Sequence, residues 1–235
     1  RPMSDPEGKS PELLLLEERF AKMKRREARN LRTAGAHGLM QGVCSMLKPG
    51  DVVLDCGANV GEVTTVLAAT GATVHSFEPD PYAFARLSDA TKDFENVTLH
   101  NAAVGVTAGS IQLMRAVNFD DNPQTASVKS TVISGGRMIN EDASSAIDVA
   151  QLSLLDFIDD IVDDHGEVTF LKMDIEGAEL DILEQMLARK TFEKIRLTVA
   201  ETHENKFKEL RPRFRALRAA VSEDYPLTKV NLDWI

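Results

Sequence analysis

With a net charge of −10 and a pI near 5.0 over 235 residues, the chain lacks the basic face that a phosphate-dominated partner requires, and no nucleic-acid partner is expected. A hydrophobic fraction of 43% and a charged fraction of 27% are those of a globular protein; no apolar run approaches the roughly 20 residues that cross a bilayer, so no membrane span is expected, and the opening residues lack the apolar core of a secretory signal. Cys44 and Cys56 are the only cysteines, too few for a disulfide framework and without a C-x-x-C pair for zinc, so a reducing, cytoplasmic setting fits.

Ser10-Pro11-Glu12 is a helix start: a capping serine, a proline in the first turn, then an acid. The helix it opens runs through Leu13–Leu16, Phe20 and Met23 into the basic stretch Lys22 to Arg32, which reads as a solvated face or as a dock for an acidic surface. A second helix is expected over His37 to Leu47. The apolar faces of these helices would either seal a homo-oligomer or cover the sheet that follows. After the turn Pro49-Gly50-Asp51, short apolar and β-branched strands alternate with helices. Strands are expected at Val52–Gly57, Thr73–Pro79, Asn96–Val104, Val168–Asp174 and Ile195–His203. Helices are expected at Val60–Ala69, Tyr82–Thr91, Leu154–Val162, Ala178–Arg189 and Phe207–Val221. Such alternation predicts an α/β domain whose mostly parallel sheet carries helices on both faces. Residues 1–48 form an N-terminal helical extension and 49–235 one domain in this reading. The Asn-, Asp-, Ser- and Gly-rich segment Arg115 to Ala146 is expected to be a substrate-facing loop.

Open parallel sheets bind ligands beyond the carboxyl ends of their strands. The first strand ends in Asp55-Cys-Gly-Ala-Asn-Val-Gly61, where two glycines bracket a tight turn. The second ends in Glu78, an acid suited to the two hydroxyls of a ribose. A dinucleotide site would show G-x-G-x-x-G; here one glycine is missing and a carboxylate is added. That exchange suits a cationic adenosine ligand such as S-adenosylmethionine better than a pyrophosphate.

The blocks DCGANVG, FEPDP, HNAAVG and LKMDIEGAE, in this order and spacing, resemble the FkbM-type S-adenosylmethionine-dependent methyltransferases over roughly Asp51 to His203. The resemblance implies a seven-stranded, Rossmann-like class I methyltransferase fold, doubly wound, with the cofactor at Asp55, Gly57, Asn59, Gly61 and Glu78. It also places Asn101 and Ala102 beside the adenine. The activity it implies is methyl transfer to a hydroxyl oxygen of a small acceptor, sugar-like or polyketide. The chain ends at Leu227 to Ile235, soon after the last helix, so the sheet is expected to lack a strand.

The turn Lys172 to Glu179 presents Asp174, Glu176 and Glu179 around Gly177. Three carboxylates on one turn repel each other unless solvated, paired or used. The neighbouring strand ends in Glu201 and His203, which should reach the same rim. An alcohol loses its proton with difficulty at neutral pH, so a positioned base is useful. Asp174 or His203 is the expected base, with Glu176, Glu179 and Glu201 orienting acceptor hydroxyls. Plainer roles stand beside these: Glu179 as a helix-start acid, Glu176 in a surface ion pair, His203 as a solvated loop histidine. A third reading puts a divalent metal between Asp174, Glu201 and His203; we assign no metal from the sequence. His37, His75, His100 and His165 show no ligand spacing. Two other functions stay open at this point, a non-catalytic S-adenosylmethionine-binding protein and an NAD-dependent oxidoreductase.

Overall fold

The computed structural model describes residues 10–114, 146–204 and 206–234. The expected substrate-facing loop therefore lies, up to residue 145, outside the described residues. The described chain forms two compact units, one ending at Val43 and the other spanning Cys44–Trp234, against an expected boundary at residues 48 and 49.

In the first unit the Ser10 hydroxyl accepts the Leu13 N–H at 3.2 Å and Pro11 stands at the first helical position. Helix α1 (Pro11–Met46) then continues for 36 residues, where two helices were expected. Gly35, Gly38 and Gly42 each cost about 1 kcal/mol relative to alanine but leave the hydrogen-bond ladder intact, and no proline after Pro11 interrupts it. Leu13, Leu15, Leu16, Phe20, Met23 and Leu31 are exposed along it.

The second unit follows the strand–helix alternation. Its elements are β1 (Val52–Cys56), α2 (Glu62–Ala68), β2 (Thr73–Phe77), α3 (Pro81–Thr91), β3 (Val97–His100), β4 (Ala103–Gly105), β5 (Gly109–Leu113) and β6 (Ile147–Ser153). There follow α4 (Leu154–His165), β7 (Val168–Met173), α5 (Glu179–Ala188), β8 (Ile195–Ala200), α6 (Arg211–Asp224) and β9 (Val230–Asn231). Six strands make the main sheet in the order β3-β2-β1-β7-β8-β9, and every pairing in it is parallel. Strand order reverses between β1 and β7, which puts a ligand crevice beyond their carboxyl ends. Crossovers between parallel strands are right-handed as a rule, so those on either side of that point carry their helices to opposite faces. On one face Val52, Leu54 and Cys56 of β1 pack in a common core with Leu154, Leu155 and Ile158 of α4, Leu183 and Met186 of α5, and Phe214 of α6. The intervening residues of β1, Val53 and Asp55, face the other side by the two-residue period of a strand.

One difference from expectation stands out, at the end of β3. The strand expected over Asn96–Val104 is broken after His100, because the Asn101 amide donates to the carbonyls of Glu78 at 2.8 Å and Pro79 at 3.3 Å. Beyond that break β4 leaves the main sheet and joins a second, three-stranded one, ordered β4-β6-β5. The main sheet has six strands among the described residues, one fewer than the seven-stranded fold, and ends on the two-residue β9. No helix among the described residues is long and apolar enough to cross a membrane.

Candidate active site

The register of β1 against β7 sets Asp55 opposite Lys172, each the lone charge of an otherwise apolar run. Both are buried, and the ammonium lies 3.1 Å from Asp55 Oδ1. The Thr64 hydroxyl donates to Asp55 Oδ2 at 2.7 Å and lies 3.1 Å from the Ser76 hydroxyl. The Lys172 ammonium also donates to the Gly57 carbonyl at 2.7 Å. Burial works to lower the Lys172 pKa, but the charges of Asp55 and then Asp174 outweigh it and raise it. Asp55 was expected to face the cofactor. At 0% exposure it meets Lys172 and Thr64 instead, and reaches the turn only through the bond Lys172 makes to Gly57.

Gly57 has φ +80°, and a Cβ there would stand 1.7 Å from the Asp174 carbonyl oxygen. The glycine expected to admit a ligand thus admits the backbone of the neighbouring turn. The N–H groups of Gly57 and Ala58 both donate to the Phe77 carbonyl at 3.0 Å. Gly61, at φ +94°, opens α2. Between the glycines Asn59 adopts φ +49° and donates its N–H to Glu78 Oε2 at 2.8 Å, while Glu78 Oε1 accepts the Asp80 N–H at 2.9 Å. Each carboxylate oxygen of Glu78 keeps a second lone pair for a ligand hydroxyl. Burial lifts the Glu78 pKa to about 7 against those two hydrogen bonds. The Asn59 side-chain oxygen is buried without a hydrogen-bond partner among the described residues. Asn101 holds the β3 end against the Glu78 carbonyl, and Ala102 is buried behind it.

The acidic rim adjoins this turn. The Asp174 N–H donates to the Cys56 carbonyl and the Glu201 N–H to the Met173 carbonyl, both at 2.9 Å, so β7 delivers Asp174 beside β1 and β8 delivers Glu201 beside β7. Glu176 takes φ +58° and Gly177 φ +109°, where a Cβ on Gly177 would meet the Phe207 ring at 2.2 Å. That sharp turn folds the acids back toward one another. Glu179, expected to orient an acceptor, is 0% exposed. Its Oε2 accepts the Gly177 N–H, and its Oε1 accepts the His203 N–H, each at 2.8 Å, with His203 Nδ1 at 3.1 Å from the same Oε1. It holds the turn and the imidazole.

His203 Nε2 then faces three carboxylates: Glu176 at 3.4 Å, Glu201 at 3.6 Å and Asp174 at 3.7 Å. The Lys206 ammonium sits on Glu176. Burial works to lower the His203 pKa, but the hydrogen bond and charge of Glu179, then the charge of Glu176, raise it to about 9. Burial and the Asp174 charge lift Glu201 to about 7, and burial raises Glu176 as well. The His203 side chain is 3% exposed, whereas those of Asp174 and Glu201 are 30% and 27% exposed. The two carboxylates are therefore more accessible from solvent than the imidazole.

The structure brings the four expected rim carboxylates together around His203, and the turn residues Gly57, Asn59, Gly61 and Glu78 at the ends of β1 and β2. Lys172, Thr64, Ser76 and Lys206 were missed. For Lys172 a signal existed: a lysine inside a buried strand requires a buried acid, and Asp55 is the only acid within the apolar strand Val52–Gly57. Nothing in the sequence places Lys206 on Glu176. His75 and His100 lie apart from the rim, 3.3 Å from each other beside Phe77 and Phe157, with burial holding His75 down at about 4.

Residues 55–225, well over half the chain, match the Methyltransferase FkbM domain. The chain belongs to the FkbM methyltransferase family. The FkbM match contains every residue of the turn and the rim and begins after α1. A curated relative, the 31-O-demethyl-FK506 methyltransferase FkbM of Streptomyces tacrolimicus, is 28% identical over 180 residues, 67% of this chain and 67% of the relative. Among solved structures, the S-adenosylmethionine-dependent methyltransferase of Agrobacterium tumefaciens is 17% identical with a TM-score of 0.26; the match covers 31% of this chain and 24% of that one. The Burkholderia thailandensis 1,6-didemethyltoxoflavin-N1-methyltransferase, solved with 1,6-didemethyltoxoflavin and S-adenosylhomocysteine, is 14% identical with a TM-score of 0.22 over 70% of this chain and 81% of that one. The chain is a methyltransferase of the FkbM family.

Proposed function

We propose that the chain moves a methyl group from S-adenosylmethionine to a hydroxyl oxygen of a small, polyhydroxylated acceptor. The observation that carries this reading is the direct abutment of the glycine turn on the acidic rim: Gly57 has no room for a Cβ because the Asp174 carbonyl is there. A donor held by the first and an acceptor held by the second are within reach of one another, which is the positioning that an in-line transfer needs.

The residues present fit the methyl donor. Glu78 accepts from ribose hydroxyls with its remaining lone pairs, and the unpartnered Asn59 oxygen offers a buried acceptor to a hydroxyl or ammonium. Bound there, S-adenosylmethionine supplies an electrophilic methyl group on a positively charged sulfur. At the rim, Asp174 and Glu201 accept hydrogen bonds from acceptor hydroxyls, and one of them takes up the proton released as the new C–O bond forms. His203 is not placed to meet the acceptor first; fixed by Glu179, it keeps its Nε2 turned toward the carboxylates. The Streptomyces relative, named for a 31-O-demethyl substrate, supports oxygen as the receiving atom.

Formation of S-adenosylhomocysteine in the presence of hydroxylated acceptors, sugars and macrolides among them, tests this. Turnover that depends on the acceptor hydroxyl and falls in Asp174→Asn or Glu201→Gln is expected. Transfer to amine or thiol acceptors with none to any hydroxyl would overturn the reading.

A further inference from the structure

Among the described residues the rim gathers more carboxylates than cations paired with them. Asp174, Glu176, Glu179 and Glu201 surround one imidazole, and Lys206 is the one ammonium paired with them among the described residues. One donor atom from each of Asp174, Glu176 and His203 lies within 4.8 Å of the others, the spacing of ligands around a single ion.

Two further observations separate this group from an ordinary acidic patch. The first is the imidazole. Its side chain is 3% exposed, its Nδ1 is engaged by the buried Glu179, and its Nε2 points into the carboxylates at ion-pair separations with no hydrogen bond made among the described residues. The approaches of 3.4–3.7 Å exceed the 2.7–3.2 Å of a made bond. A carboxylate on one ring nitrogen, fixing the ring so that the other faces a set of oxygens, is how proteins prepare a histidine to ligate a metal. The second is Asp174 Oδ1, a buried atom with no hydrogen-bond partner among the described residues, standing 3.7 Å from that Nε2.

We propose that Asp174, Glu176 and His203 bind a divalent cation of the manganese or magnesium type, with the remaining coordination positions turned toward the acceptor. Two carboxylates and one imidazole form a mostly oxygen donor set, which suits manganese well, and three protein ligands leave positions open for a substrate oxygen. The cation has a consequence for the transfer, a point that rests on the function proposed above. A hydroxyl bound to it loses its proton more readily. Glu201, outside the ligand trio and 27% exposed, remains to take that proton. Lys206 shares Glu176 with the ion and limits the affinity.

The test is titration of the full chain with Mn2+ alone, followed by electron paramagnetic resonance and calorimetry, without methyl donor or acceptor. One saturable Mn2+ per chain is expected. Its affinity should fall at least about tenfold in Asp174→Asn and in Glu176→Gln and stay unchanged in Glu167→Gln, an exposed acid paired with Arg196 far along the sequence. Circular dichroism of each variant checks folding, and the stoichiometry on the unaltered chain stands whatever the variants do. Absence of saturable Mn2+ binding, or binding indifferent to both rim substitutions, would overturn the site. Because no methyl donor is present, Mn2+ binding in a protein that fails to bind S-adenosylmethionine would remove the proposed function and leave the cation site standing; the reverse result would remove the site alone.

Discussion

The turn after β1 and the rim after β7 are neighbours in the same sheet, yet they treat charge in opposite ways. At the turn the buried Asp55 meets Lys172, and Lys172 also donates to the Gly57 carbonyl. At the rim four carboxylates crowd one imidazole, with Lys206 the one ammonium paired to them among the described residues. The first arrangement fixes a backbone. The second gathers like charges with shifted pKa values, the pattern that marks a site rather than a scaffold. Substitutions should therefore act in opposite senses on the two sides.

The largest effect is expected at Lys172. Lys172→Met leaves Asp55 buried without its cation and should cost about 3–5 kcal/mol in urea unfolding. Adding Asp55→Leu should recover at least half of that loss, since a buried pair replaced as a whole is often near neutral; strictly additive losses would show that the two do not act as a unit. Next comes Gly57→Ala, which forces a side chain onto a left-handed backbone and against the Asp174 carbonyl. A loss of about 3 kcal/mol is expected, and a near-neutral result would mean that the two turns do not abut.

At the rim the sign reverses. Glu201→Gln removes one of several repelling carboxylates, so stability should hold or rise by about 0.5–1 kcal/mol, while methyl transfer falls by about a hundredfold or more. Loss of stability and activity together would make the rim a scaffold like the turn. The smallest effect is that of pH on Glu78, whose folded pKa of about 7 lies above its ordinary value. A raised acid favours the folded state at low pH. Its contribution is complete below the ordinary carboxylate pKa near 4.5 and is lost as pH rises through about 7. In the proposed site donor binding runs the other way, because the ribose would meet an ionised Glu78. Affinity should rise between pH 6 and pH 8 by up to about tenfold per unit below 7, and Glu78→Gln should flatten the profile.

Much of this was legible because the fold is written in local patterns. Five of the six main-sheet strands begin within a residue of where apolar, β-branched runs begin, and each glycine turn follows one. What the sequence hid depended on partners distant along the chain. Asp55 read as a ligand because its acid stands in a glycine turn; only the β1–β7 register reveals Lys172 opposite. Glu179 read as one rim acid among several until the fold enclosed it, and Glu201 and His203 came within reach only because β8 lies beside β7. The small β4-β6-β5 sheet left little periodic signal, since its strands are short and β5 is largely exposed.

The most direct test of the account is calorimetric titration of the full chain with S-adenosylmethionine, run beside Glu78→Ala and Glu201→Gln. One saturable site is expected that weakens at least about tenfold when Glu78 is truncated and is unchanged when the rim acid is neutralised, the turn being the proposed donor site and the rim the proposed acceptor site. Failure of the donor to bind, or equal binding in all three proteins, would contradict it.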